Sequence, residues 1–138
     1  MSKLDTVKRY FKALTEFNVS GLLEVFTSDV EIHNVNFPVY KGVEGVRKYC
    51  ENFQGRIAQA KFDLLVVLEK ENFVLAEWEA RLTYREGAQV AGVVVGKPFT
   101  FSLRGMWRAD FVGNKIQCLR IYHETTTAVD LARANAKG

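Results

Sequence analysis

Residues 99–124 read F-T-F-S-L-R-G-M-W-R-A-D-F-V-G-N-K-I-Q-C-L-R-I-Y-H-E. Phe99, Phe101, Leu103, Gly105, Trp107, Ala109 and Phe111 alternate with Thr100, Ser102, Arg104, Met106, Arg108 and Asp110, the period of a strand with one apolar and one polar face. Gly113-Asn114 then turns the chain back, since both residues tolerate the positive backbone angles of a tight hairpin. The returning strand is the last of the chain and carries Arg120, Tyr122, His123 and Glu124 near its end. Nearly every other segment is apolar enough to be wall. The hairpin therefore predicts a cup, with its ionisable groups on the final strand.

Upstream of the hairpin, Phe73 to Arg85 alternates in the same way and puts Val74, Ala76, Trp78, Ala80, Leu82 and Tyr84 on one face. Phe62 to Leu68 is apolar and rich in β-branched residues, and Glu69 to Asn72 is a polar turn. Between Glu86-Gly87 and Gly96-Lys97-Pro98 lies a small apolar insert, Ala88 to Val95, predicted to lengthen a hairpin or to lie over the pocket mouth.

Further back the period becomes helical. Leu4, Val7, Phe11 and Leu14 form a stripe behind a Ser2–Asp5 capping box, predicting a helix over 3–16. Asn18 or Ser20 caps a second helix with Leu22, Leu23 and Phe26 inward. Val30 to Asn34 is a short strand, the Pro38 region is a loop, and Val43, Val46, Cys50 and Phe53 mark a third helix over 42–53. Thr127 to Lys137 is a terminal helix or a tail. Helices followed by a run of hairpin strands predict an α+β fold. The expected architecture is one domain over 1–138: a curved antiparallel sheet packed on three N-terminal helices, with a conical pocket at one end.

Composition narrows the function. The chain has 138 residues, of which 48% are hydrophobic and 25% charged, which suits a folded globular protein with a real core and not a disordered one. Its net charge of +3 comes without a Lys/Arg run that could track phosphates, so no nucleic-acid partner is expected. No apolar run approaches a membrane span, so no membrane partner is expected either. Cys50 and Cys118 are predicted as two buried free thiols, and the charged first residues lack the apolar core of a signal peptide; both point to the cytoplasm.

Three stretches carry a family resemblance: Phe26 to Gly42 (F-T-S-D-V-E-I-H-N-V-N-F-P-V-Y-K-G), Gly96 to Trp107 (G-K-P-F-T-F-S-L-R-G-M-W) and Lys115 to Glu124 (K-I-Q-C-L-R-I-Y-H-E). With the order of elements, they resemble the cystatin-like α+β family that contains nuclear transport factor 2, ketosteroid isomerase and the SnoaL-type polyketide cyclases. The nearest local likeness is to limonene-epoxide hydrolase and its SnoaL-like relatives. Against the epoxide hydrolase, Asn34 stands where an Asn holds the nucleophilic water, and Glu124 stands where an Asp moves a proton. Ile32 replaces its Tyr, and Trp78 and Ala80 replace its Arg and second Asp. Against ketosteroid isomerase, Asn34 falls near the Asp base. The SnoaL-type cyclases are the closer match, since their main catalytic group is one acidic residue in the last strand, and Glu124 is here one methylene longer.

The resemblance thus implies Glu124 as the catalytic acid or base, with Asn34 and Tyr122 orienting substrate or water. A carboxyl group in an apolar cup would have its pKa raised by lost hydration. A solvent-facing Glu at a strand end is the alternative, and alternation does not choose, because Ile116, Cys118, Arg120 and Tyr122 share its face while Leu119 and Ile121 take the other. Asn34 also reads as a turn residue and Tyr122 as a core aromatic. Substrate-contact candidates are Ile32, Trp78, Trp107, Leu103, Tyr10 and Arg120, the last also reading as an ion-pair partner. His33 and His123 read as sheet-face or interface residues. No ligand spacing for a metal appears, and no P-loop, dinucleotide fingerprint or nucleophile elbow. The expected partner is a small apolar carbonyl or epoxide compound, with no cofactor. A non-catalytic ligand-binding or dimerisation module on the same fold is the other reading. The mixed polar face of Thr100, Ser102, Met106 and Arg108 suits a homodimer.

Overall fold

Ser2 starts the first helix. Its hydroxyl accepts from the Asp5 backbone N–H at 3.0 Å, and the Asp5 carboxylate accepts from the Ser2 N–H at 3.1 Å. Two otherwise orphaned donors are satisfied reciprocally, and α1 runs Lys3–Thr15. The structure, a computed structural model, describes residues 2–137. Asn18 caps α2 (Val19–Val25) by accepting from the Gly21 N–H at 3.0 Å. The chain continues as β1 (Phe26–Asn34), β2 (Tyr40–Lys41), α3 (Gly42–Arg56), β3 (Ile57–Glu69) and β4 (Phe73–Tyr84). The small pair β5 (Gln89–Val90) and β6 (Val93–Val94) precedes β7 (Phe99–Val112), β8 (Lys115–His123) and α4 (Thr126–Ala134). No described helix is long and apolar enough to cross a membrane.

The main sheet has six strands in the order β2-β1-β8-β7-β4-β3. β3, β4, β7 and β8 form the expected antiparallel meander, but β1 lies parallel to β8, so the sheet is mixed and open, not wholly antiparallel. Side-chain alternation reports which face a residue takes and is blind to strand direction, so this pairing could not be read from the pattern. The odd positions of β7 and even positions of β4 face inward as predicted, with Trp107 and Trp78 buried. Their inner face packs on α1 and α3 through an aromatic cluster, in which Trp107 stacks on Phe11 at 5.7 Å and meets Tyr10 edge-on at 5.9 Å. The buried Thr6 hydroxyl donates to the Asn114 carbonyl at 2.7 Å and ties α1 to the β7–β8 turn.

Register shifts in β1, β3 and β8 bend the sheet over the helices, and two of them decide which residues face inward. In β3, Leu64 faces Trp78 but Val66 faces Glu77, leaving Leu65 extra. In β8, Cys118 faces Asp110 but Ile116 faces Phe111, leaving Gln117 extra. An extra residue shifts the alternation by one and increases the local twist. Ile116 and Leu119 are consequently both fully buried although three residues apart. The termini also differ from expectation. α2 gives way to β1 at Phe26 and α3 extends to Arg56, while the last segment takes the helical one of its two expected forms. Of the two thiols, Cys50 is buried but Cys118 is only half-buried, on the outer face.

Candidate functional site

The curved sheet, α1, α3 and α4 enclose a cavity of about 320 Å³, the lower end of the range for small-molecule sites. Its deep end is aromatic, with Trp107, Phe11 and Tyr10 in contact. The Tyr10 and Tyr49 hydroxyls meet there at 2.6 Å, fully buried, one on α1 and one on α3. Burial pushes the Tyr10 phenol well above its ordinary value and pushes Tyr49 up to about 12, so both stay neutral and keep one free donor between them. Tyr10→Phe and Tyr49→Phe each strand one buried hydroxyl and are expected to cost about 1–3 kcal/mol. Denaturant titration of the double variant should then show a loss clearly smaller than the sum of the singles.

Gly105 opens the middle of the wall. It faces Trp78 on one side and His123 on the other. A Cβ there would overlap Cζ2 and Cη2 of the Trp78 indole and come 2.9 Å from Cε2, so the ring lies where a side chain would stand.

His123 lines the cavity beside it. The ring is held from both ends: Nδ1 lies 3.1 Å from the Glu124 carbonyl oxygen, and Nε2 lies 3.3 Å from Asn34 Oδ1 on the parallel strand β1. Both facing atoms are acceptors. A neutral imidazole has one N–H and can satisfy only one of them, while an imidazolium donates to both; turning the Asn34 amide over restores a donor for the neutral ring. The pair thus accommodates either charge state by one amide rotation.

Glu124 lies just beyond β8, at the cavity rim but exposed. The Thr127 backbone N–H donates to its Oε2 at 3.1 Å, across the first turn of α4. That bond, with the Thr127 hydroxyl, holds the carboxyl below its ordinary value. The expected rise from an apolar environment is therefore reversed in sign, because the helix start supplies donors where the strand pattern foresaw only a greasy wall. Tyr122 and Arg120 point away from the cavity. Tyr122 is 53% exposed on the outer face, and Arg120 donates to Asp110 at 2.8 Å. Gln117 is the physical reason: its bulge reverses the parity of every later β8 residue, bringing in Leu119, Ile121 and His123. The three-residue spacing of Ile116 and Leu119 was the signal for it. Ile32 is fully buried core beneath the site and not part of its lining, whereas Asn34, Trp78, Trp107, Leu103 and Tyr10 do line it. Tyr49 and Arg56 also line it and stood out in no sequence pattern.

The Ala88–Val95 insert forms the β5–β6 hairpin, with Gln89, Val90 and Ala91 on the cavity wall. It is clamped to the end of α4, since the Lys137 N–H donates to the Val94 carbonyl at 3.0 Å and the Gly96 N–H to the Asn135 carbonyl at 2.7 Å.

A family model described as the SnoaL-like domain matches residues 7–118. The fold is similar to that of a protein from Shewanella denitrificans OS-217 named for a SnoaL-like polyketide cyclase, at 16% identity, TM-score 0.81, and 96% and 97% coverage of this chain and that one. It is similar to a protein from Silicibacter sp. TM1040 named for a polyketide cyclase, at 20% identity, TM-score 0.77, and 99% and 96% coverage. It is also similar to TerC co-crystallised with polyporic acid, at 10% identity, TM-score 0.77, and 95% and 98% coverage. No curated protein matches the sequence.

Proposed function

The chain belongs to the SnoaL-like domain family, and from that footing we propose that it is a cofactor-independent small-molecule enzyme of the isomerase, cyclase or hydratase type, acting on an apolar carbonyl or epoxide compound. The observation that carries this reading is the His123–Asn34 contact on the wall of the cavity. With Nδ1–H held on the Glu124 carbonyl, His123 Nε2 exchanges its Asn34 contact for the substrate and takes a proton from the carbon next to the carbonyl; the electron pair moves onto oxygen as an enolate, and the imidazolium returns the proton to the same or another carbon. The free hydroxyl of the Tyr10–Tyr49 pair is a donor for the enolate oxygen. Imidazole is the side chain that changes charge nearest neutral pH, which suits this role better than a carboxylate already held ionised by a helix start. The Glu124 carboxylate then serves as an acceptor for the first turn of α4, and its backbone carbonyl orients His123.

The test uses 2-tetralone, a bicyclic ketone with exchangeable hydrogens beside its carbonyl. Deuterium incorporation in D₂O, followed by NMR, should be faster with protein than in buffer. Exchange at the buffer rate would remove the enzyme reading and leave a binding module.

We also propose that two copies meet through the outer face of the sheet. Met106 and Tyr122 are cross-strand partners there, 49% and 53% exposed, and ion pairs flank them at Arg104–Glu79 and Arg108–Asp110. An apolar centre with a charged rim is the make-up of an interface. Sedimentation equilibrium should give a dimer that Met106→Glu dissociates; a wild-type monomer at high micromolar concentration would refute it.

A further inference from the structure

Three buried side-chain nitrogens have no hydrogen-bond partner among the described residues: Trp78 Nε1, Trp107 Nε1 and Arg56 Nε. All three residues line the one cavity. Trp78 is 4% exposed and Trp107 1%, so bulk water is no ready substitute. Buried indole N–H groups ordinarily find an acceptor, and leaving one without carries a desolvation penalty. The chain's two tryptophans are both left so, on a single surface.

The charge pattern points the same way. Of the described lining residues, only Arg56 and Glu124 carry a full charge, and the Glu124 carboxylate is engaged by the first turn of α4. Arg56 closes α3, and its guanidinium lies over the Phe37 ring with Cζ 4.6 Å from the ring centroid. A ring face leaves the guanidinium edge free to meet an anion. Its field reaches the deep end of the cavity, where it opposes the burial-driven rise at the Tyr49 hydroxyl. No acidic side chain forms a salt bridge with Arg56 among the described residues, and of the arginines it alone lines the cavity.

We infer that the ligand bears a carboxylate or other anionic oxygen group, which pairs with Arg56 while its apolar body packs against the aromatic wall that includes Trp78 and Trp107. This deepens the reading above and rests on the cavity being the ligand site. It adds the sign of the ligand's charge and the group that reads it.

The matched probes are 2-naphthoate, an anion at neutral pH, and 2-naphthamide, its neutral counterpart. Calorimetry should show the wild-type protein binding naphthoate about tenfold or more tightly than naphthamide, the ratio one charge-assisted hydrogen bond sets. In a ¹⁵N spectrum both indole Nε1–H signals should move on binding. Arg56→Met should abolish the preference for the anion while naphthamide binding is retained, and Arg56→Lys should keep part of it. Equal affinity of the wild-type protein for the two probes, with the indole signals moving, overturns the anionic ligand and leaves the proposed function standing. Indole signals that stay in place with both probes overturn the cavity as the ligand site, and both readings fall together.

Discussion

His123→Asn lowers the exchange of 2-tetralone by about 10²–10⁴-fold, the usual contribution of a positioned acid–base group. Asparagine retains polarity and approximate size but has no nitrogen that picks up a proton near neutral pH, so the loss reports proton transfer and not the shape of the wall. The comparison that separates His123 from its neighbour is Glu124→Gln. A glutamine oxygen still accepts from the Thr127 N–H, so the contact with the first turn of α4 is kept while the negative charge is removed. This variant should stay within a few-fold of the wild-type rate. A collapse in Glu124→Gln with a nearly normal His123→Asn would move the proton carrier back to the carboxylate. Asn34→Asp adds a direct check on the contact itself: a carboxylate in place of the amide beside Nε2 favours the imidazolium, so the neutral base forms only at higher pH and the acid limb of the rate profile should move upward.

Gly105→Ala is expected to destabilise the protein by about 1–3 kcal/mol, the range for overfilling a packed interior. The methyl group would occupy space already taken by the Trp78 indole. The ring has little freedom to withdraw, since it also packs edge-on against Phe62 at 5.5 Å. Because His123 flanks Gly105 on its other side, the shift should also weaken probe binding and move the Trp78 indole signal. Gly55→Ala is the control. That glycine lies in α3 with nothing within 4 Å of an added Cβ, and the substitution should stabilise by about 0.5–1 kcal/mol through helix propensity. Thermal melts of the two variants should therefore shift in opposite directions. A Gly105→Ala protein as stable as the wild type would mean that Trp78 does not hold its observed position.

Most of the framework was legible in the chain. The stripe from Leu4 to Leu14, the caps at Ser2 and Asn18, and the alternation in β4 and β7 are local signals, each set by residues within a few positions of one another. Trp78, Trp107, Leu103 and Tyr10 were placed on the cavity side by those same periods. The family likeness contributed Asn34, which also lines the cavity. Tyr122 and Arg120 were placed inward because the family likeness turned Glu124 inward and alternation put them on its face; the extra residue at Gln117 sets the opposite parity, with Tyr122 and Arg120 out and His123 in.

The amino-acid sequence by itself determined the main helices and long strands and the inward faces of α1, β4 and β7, because periodicity, capping and turn chemistry act over short stretches of chain. Tertiary structure alone decided that β1 runs parallel to β8, bringing Asn34 within reach of His123. It decided that α4 starts where it can hold the Glu124 carboxylate, and that Tyr10 and Tyr49 join hydroxyls across two helices. Those contacts link residues whose separation along the chain ranges from 3 to 89 positions. Strand order, strand direction and the phase set by a bulge govern them, and no local pattern of apolar residues encodes those three quantities.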